Sequence, residues 1–94
     1  MICCFMNFHE RENFNDLAHH FDNEILYAIF MGCTTFYSGK KYPEDKLFAE
    51  RVRVVSECYP NAKIELITID KADDELKEYF IEKADWEIYS YNCA

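Results

Sequence analysis

Short apolar runs alternate along the chain with longer segments in which apolar residues recur at helical spacing. Residues 2–8 form an apolar, aromatic-rich run that stops at a charged stretch, which is typical of a buried strand. Asn13 then fits an N-cap, with Asp16 three residues on, and Gly32 fits a left-handed cap at the end of the helix. One stripe of this predicted helix should face the core: Leu17, Phe21, Ile25, Ala28 and Ile29.

The same alternation continues to the end of the chain. Pro43 suits the first turn of a second helix, which the Tyr59-Pro60-Asn61 turn should stop, and Asp73 opens a third helix. The predicted strands between and after these helices are 33–37, 64–69 and 86–91. The second helix should bury Phe48, Val52, Val55 and Tyr59, and the third should bury Leu76, Phe80 and the pair Lys83-Ala84.

The order βαβαβαβ, with connections of a few residues, predicts parallel pairing and right-handed crossovers. We therefore expect one domain, 1–94, of the α/β class: a small Rossmann-like three-layer sandwich with a four-stranded, mainly parallel sheet and three helices. Ligands of such sheets bind beyond the carboxyl ends of the strands. The loops at that end are 9–13, 38–43 and 70–73.

Charge and cysteine content narrow the function classes. Eighteen acidic residues against ten basic ones give a formal charge of −8, which disfavours direct nucleic-acid binding and suits a basic protein partner. The five cysteines are an odd number without CxxC spacing, so reduced thiols in a cytoplasmic protein fit better than a secreted disulfide scaffold. The sequence shows no signal peptide and no apolar run of membrane-spanning length, so we expect no membrane association.

The loop 38–43 (SGKKYP) follows a strand and opens a helix, where backbone N–H groups and the helix dipole could meet a phosphate. It contains one glycine, and Glu44 and Asp45 in the first helical turn would repel an anion; the alternative is a solvated turn. His9 lies near Glu10 and could act as a general base, but no matched nucleophile or oxyanion donor accompanies it. We predict no catalytic site and no cofactor.

No metal site is predicted either. His19 and His20 are adjacent, so on a helix they point about 100° apart and cannot share a metal ion as an i, i+4 pair would. Cys33 and Cys58 fall at positions where core residues are expected, and a buried cysteine usually behaves as a small hydrophobic residue.

A family resemblance rests on residues 32–39 (GCTTFYSG), Asp45, the Ala49-Glu50 pair and the Tyr59-Pro60 turn. They resemble the pattern GxTTFxSGGAxGFD, a following AAExV helix and a YP turn in the YpsA-like branch of the SLOG superfamily. The opening CCF with His9 shortly after it, and Lys83-Ala84-Asp85, are also similar to that family's motifs. The resemblance implies a Rossmann-like fold and binding of nucleotides or nucleotide-derived ligands, and Ser38, Gly39 and Asp45 are the ligand-proximal positions that match the family. Lys40 and His9 are two further candidate ligand-binding residues.

The chain departs from the family pattern at the ligand loops. Residues 6–10 (MNFHE) replace the family's TGHR, and Lys40 and Pro43 stand where the family has glycines. The sequence also stops after four strands, before the family's later motifs. These departures favour a truncated SLOG-like fold that does not bind a nucleotide tightly.

Two hypotheses follow from these observations. The first is a non-enzymatic, acidic protein-binding module, for example a phage-type anti-defence inhibitor of the anti-CRISPR kind that targets a basic nucleic-acid-binding effector. The second is a nucleotide-binding or nucleotide-sensing domain. The first predicts a protein interface on the acidic third helix and the fourth strand, which as an unpaired edge could also form a homodimer; its residues are Asp74, Glu75, Glu78, Glu82, Trp86, Tyr89 and Tyr91. An enzyme using His9 and Glu10 is a third and weaker possibility.

Overall fold

The computed structural model describes residues 1–6 and 16–89. Strands and helices alternate in the predicted order. The strands are β1 (Ile2–Met6), β2 (Thr35–Ser38), β3 (Glu65–Thr68) and β4 (Trp86–Tyr89). The helices are α1 (Leu17–Phe30), α2 (Pro43–Cys58) and α3 (Asp73–Lys83), with a short 3₁₀ turn, Pro60–Ala62, after α2. No helix in these two stretches is long and apolar enough to cross a membrane.

All four strands are parallel, in the order β3-β2-β1-β4, so the predicted Rossmann-like α/β fold is confirmed. Cys3 of β1 lies beside Phe36 of β2 and beside Trp86 of β4, which places β1 inside the sheet. The chain first adds strands on one side of β1 and then crosses to the other side for β4. Strands β3 and β4 are therefore the two edges.

The face of the sheet that carries α1 and α2 holds the larger core, which we call the α1/α2 core. Its centre is three phenylalanine rings: Phe5 of β1 stacks on Phe48 of α2 at a centroid distance of 4.7 Å, and Phe21 of α1 meets both edge-on. Nine further buried side chains surround them: Cys3, Leu17, Ile25, Ala28, Cys33, Phe36, Val52, Val55 and Ile88. The predicted stripes of the first two helices supply most of this core.

In the described part of the chain, the opposite face carries α3 alone, and its cluster, the α3 core, has four buried residues: Cys4, Met6, Leu76 and Phe80. Neighbouring side chains of a strand point to opposite faces, so the adjacent Cys3 and Cys4 enter different cores. Three layers result, one of two helices, one of the sheet and one of a single helix.

Several predicted boundaries needed correction or lie outside the described residues. The predicted N-cap Asn13 and the strand ends at 7–8 and 90–91 fall outside. Strand β2 begins at Thr35 and not at residue 33, because the N–H of Cys33 donates to Ala28 and closes the end of α1. Gly32 has a φ of +105°, so its prediction as a cap of positive φ is confirmed.

Three residues predicted to be buried are exposed. Helix α2 ends at Cys58, and Tyr59 turns away with φ −132° and ψ 61°, so Tyr59 is 46% exposed and Cys58 is exposed too. Lys83 also points to solvent, whereas Ala84 packs against the α3 core. The prediction for Cys33 is confirmed, since its side chain is fully buried.

Candidate functional site

The loop after β2 lies at the carboxyl end of the sheet, between α2 and α3. Ser38 and Gly39 are buried, and Lys40 is exposed. A Cβ atom on Gly39 would lie 2.9 Å from Cδ2 of Leu76 and 3.2 Å from Oδ2 of Asp45. Glycine at this position is thus explained by close packing against α3 and against the Asp45 carboxylate.

The carboxylate of Asp45 occupies the N–H groups that a phosphate would use. The backbone N–H of Tyr42 donates to Oδ2 of Asp45 at 3.0 Å, and the Lys41 backbone also donates to this carboxylate. Burial raises the pKa of Asp45 to about 6, although these N–H bonds oppose the shift and the nearby Glu44 adds to it. The start of α2 therefore already holds an internal anion.

A second acidic residue fixes the same loop to α3. Asp73, the first residue of α3, accepts a hydrogen bond from the Tyr42 hydroxyl at 2.8 Å. Its carboxylate also forms an ion pair with Lys41 at an N–O distance of 3.4 Å. The hydrogen bond to Asp73 raises the pKa of Tyr42. One of the two loop lysines is thus held by a carboxylate of the chain itself.

Beside this loop is a cavity of about 270 Å³ between α2 and the edge strand β3, which we call the β3 groove. Its lining consists of Gly39, Lys40, Asp45, Lys46, Ala49, Arg53 and Thr68. Residues 46, 49 and 53 recur on one side of α2, so the helix contributes two cations to the groove and the loop contributes a third. Three of the four residues predicted to bind a ligand in this loop, Gly39, Lys40 and Asp45, line it; the fourth, Ser38, lies behind it and donates to the Gly39 carbonyl at 3.0 Å.

The residues of the predicted protein interface lie on α3 and β4. The four α3 acids, Asp74, Glu75, Glu78 and Glu82, are all exposed. In β4, Trp86 is half-buried with its ring 5.6 Å from that of Tyr27, and Tyr89 is 46% exposed with its hydroxyl donating to Glu87. His9 and Tyr91 lie outside the described residues.

Strand β4 is an edge of the sheet within the described part of the chain. The N–H of Asp85 donates to the Ile2 carbonyl at 2.7 Å. Ile2 turns both of its backbone groups toward β4, so by alternation Cys4 does too and bonds to Trp86 and Ile88, whereas Glu87, which lies opposite Cys4, turns its own backbone groups outward. Helix α1 covers β4 on one face, where Nε2 of His20 lies 2.9 Å from the Tyr89 carbonyl oxygen.

An apolar surface at the end of α1 was not predicted from the sequence. Phe30 is 89% exposed, Tyr27 55% and Met31 49%, and Met1 at the start of β1 is half-exposed. Residues 27, 30 and 31 share one side of the helix, and Met1 adjoins Gly32 at the end of α1. We call these four residues the end patch. The available signal was Phe30, a large apolar residue outside the predicted buried stripe.

The described residues contain no group of three or more histidine, cysteine, aspartate or glutamate side chains placed to hold a metal ion. Comparisons of the chain with known protein families, with curated proteins and with solved structures gave no match.

Proposed function

We propose that this domain is a non-enzymatic module that binds another protein through the end patch and the edge of β4, with the acids of α3 as an additional negative surface. The observation that carries this proposal is the end patch, where Phe30 exposes 89% of its surface beside a half-exposed tyrosine and two methionines. Contiguous apolar surface on a small domain usually marks an interaction site. The adjoining edge of β4 offers outward N–H and C=O groups to the same partner.

The charge of the domain supports a basic partner. The chain carries a formal charge of −8, and the exposed acids of α3 add a negative surface on the α3 side of the sheet. Such a surface raises the association rate with a positively charged protein. A basic nucleic-acid-binding effector in the cytoplasm fits this chemistry, and a phage-type anti-defence inhibitor built on a truncated SLOG-like fold is the concrete case. A second copy of the chain is the competing occupant of the β4 edge.

The test begins with purification of the tagged domain from its host and reconstitution of the captured partner as a purified protein. Two folded variants then address the two parts of the surface: Tyr27→Ser/Phe30→Ser for the end patch, and lysine at positions 74, 75, 78 and 82 for the charge. Exposed substitutions usually cost within about 0.5 kcal/mol each, so circular dichroism should show both variants folded. We expect each variant to weaken binding by about tenfold or more.

Matched controls separate these effects from general changes in polarity and charge. Val54→Ser removes an apolar side chain that is 38% exposed on α2, and Glu50→Lys/Glu57→Lys reverses two exposed acids on the same helix. Both controls should bind as the wild type does. A captured partner that binds all folded variants equally would refute the proposal, and light scattering of the free domain would reveal a second copy as the occupant.

Nucleotide binding is the second candidate, favoured by the cationic lining of the β3 groove. Asp45 already accepts the backbone N–H groups of Lys41 and Tyr42 just before α2, so we expect AMP, ADP-ribose and NAD to bind no more tightly than about 1 mM, or roughly −4 kcal/mol. Isothermal calorimetry measures this directly. A micromolar dissociation constant for any of the three would place this candidate first.

A further inference from the structure

The β3 groove differs in charge from the rest of the molecule. Lys40, Lys46 and Arg53 line it, and within the described residues none of the three is ion-paired. Other cations of this chain do have partners: Lys41 pairs with Asp73 and Arg51 with Asp22. Three unpaired cations around one cavity, in a chain with eighteen acidic residues, indicate that an external anion completes the groove.

Three carboxylates of α2, those of Asp45, Glu50 and Glu57, form no ion pair with the cations of this groove within the described residues. Asp45 is 3% exposed, and its carboxylate accepts the backbone N–H of Tyr42. Glu50 and Glu57 are exposed on α2, and neither forms an ion pair with Lys46 or Arg53. The cations are therefore available to a ligand that enters from solvent.

The floor of the groove is the outer edge of the sheet. The N–H groups of Glu65 and Ile69 donate to the carbonyls of Thr34 and Ser38 at 2.8 Å. By the alternation of a parallel ladder, the N–H and C=O groups of Leu66 and Thr68 point away from β2, and Thr68 lines the groove. An extended chain could pair with these groups as a fifth strand.

The three cations of the groove and the outward backbone groups of β3 fit the same kind of ligand. A strand added beside β3 would run past Ala49, with alternate side chains directed toward the side of α2 that holds Lys46 and Arg53. Among the described residues, the lining contains no aromatic ring on which a nucleotide base could stack. We propose that the β3 groove binds an extended acidic peptide segment of a partner protein by strand addition, with glutamate or aspartate side chains at alternate positions meeting the three cations.

This site is independent of the proposed function, because it lies on the opposite edge of the sheet from β4 and has the opposite charge. It would give the domain two separate protein contacts. A negative binding result at β4 does not bear on binding in the β3 groove, and the reverse also holds, so the two proposals can be tested separately.

The probe is a labelled hexapeptide of alternating glutamate and valine, which places its carboxylates on one side of a strand. Two matched peptides accompany it: one with glutamine for glutamate, and one with N-methyl groups that remove the strand's hydrogen-bond donors but keep the charge. Fluorescence anisotropy measures binding, and NMR follows the amide signals of Leu66 and Thr68. We expect the parent peptide to bind, each altered peptide to lose about tenfold or more, and both amides to become protected from exchange.

Variants of the protein test the cations. Lys46→Glu/Arg53→Glu should lose the acidic peptide and gain binding of the corresponding lysine–valine peptide, which a misfolded variant could not do. Lys71→Glu/Lys77→Glu carries the same change of net charge on exposed residues outside the groove and should keep wild-type binding. Tripolyphosphate and AMP are measured in parallel.

Some results of these experiments would support the proposal, and three others would contradict it. Loss on N-methylation together with the charge-swap rescue supports strand addition of an acidic segment. Equal binding of the N-methylated and parent peptides would reduce the site to a charge attraction and overturn the proposal. It would also be overturned if AMP or tripolyphosphate bound the groove more tightly than the peptide, or if none of the probes bound at millimolar concentration.

Discussion

Among residues 1–6 and 16–89, the face of the sheet that carries α1 and α2 buries twelve in one cluster, whereas the face that carries α3 buries four. On the first face two helices pack against each other and against the strands around three touching phenylalanine rings. On the second, one helix is held chiefly by Leu76 and Phe80. The fold thus depends mainly on one face, and the other holds α3 with few buried contacts.

The largest expected effect is the loss of an aromatic ring from the α1/α2 core. Phe48→Ala removes the ring that contacts Phe5, Phe21 and Phe36 and leaves a cavity, which should cost about 4 kcal/mol. Small domains have only about 5–15 kcal/mol of stability, so urea unfolding should show a domain close to unfolding. Phe48→Leu is the control and should cost far less. A loss below about 1.5 kcal/mol for the alanine variant would contradict the central role of this cluster.

The same change on the α3 face should act more locally. Phe80→Ala removes an equally buried ring, at an expected cost of about 3 kcal/mol. Hydrogen exchange should then show α3 opening while the amides of β1 and α1 stay protected, because the α1/α2 core remains intact. Ile81→Ala, at an exposed neighbouring position, should change stability by no more than about 0.5 kcal/mol. Uniform loss of protection in all elements would show that the two faces do not differ in this way.

Asp45 is buried in the first turn of α2, next to Gly39, which packs against Leu76 of α3. Its charge should make the free energy of unfolding depend on pH. Its pKa of about 6 in the folded state lies above the usual 3.8, so the folded state binds the proton more tightly than the unfolded chain. Stability contributed by this group is present at low pH and lost as the pH rises from about 4 through about 6, by on the order of 2 kcal/mol.

Asp45→Asn removes that dependence and keeps an acceptor for the Tyr42 N–H. The variant should therefore be more stable than the wild type at pH 7.5 and show little gain at pH 4, as measured by urea unfolding at about those two values. Asp74→Asn, at an exposed position on α3, is the matched control and should be neutral. An equal gain at both pH values would rule out the charge as its cause.

The smallest effect should come from the ion pair that joins α1 to α2. Arg51 donates two hydrogen bonds to Asp22 at 2.7 and 2.8 Å, and about a quarter of each side chain remains exposed. Exposed pairs usually contribute about 1 kcal/mol or less, so a double-mutant cycle with Arg51→Gln and Asp22→Asn should give a coupling of about that size. A coupling above about 2 kcal/mol would mean that electrostatics rival the aromatic cluster in holding this face.

The order of elements was predictable because each helix carries its own apolar stripe and each strand is a short apolar run. The buried stripe of α1 and the start of α2 at Pro43 needed no tertiary information. Strand ends did, because β2 ends at Ser38 where it pairs with Thr68, and no local pattern fixes that register. Tyr59 was assigned to the core by spacing alone, yet the helix ends one residue earlier.

The candidate site was predictable in part because the alternation of strands and helices shows where each loop lies. The loop after β2 was found from its place in the alternation, with Gly39, Lys40 and Asp45 all lining the groove. Two further cations, Lys46 and Arg53, were missed because only the edge position of β3 exposes that side of α2 to a ligand. Strand order depends on long-range pairing. Without it, the helical spacing of Lys46 and Arg53 does not show that these side chains line a groove.

The adjacent cysteines of β1 can report separately on the opening of the two helix layers, because Cys3 is buried in the α1/α2 core and Cys4 in the α3 core. Burial raises the pKa of both thiols, that of Cys4 to about 12, so neither reacts as a thiolate while the native structure is closed. A thiol reagent can reach Cys4 only when α3 lifts from the sheet, and Cys3 only when the two-helix layer opens. Modification of single-cysteine variants, timed by mass spectrometry, would therefore record how often each layer opens, from two sulfur atoms one residue apart.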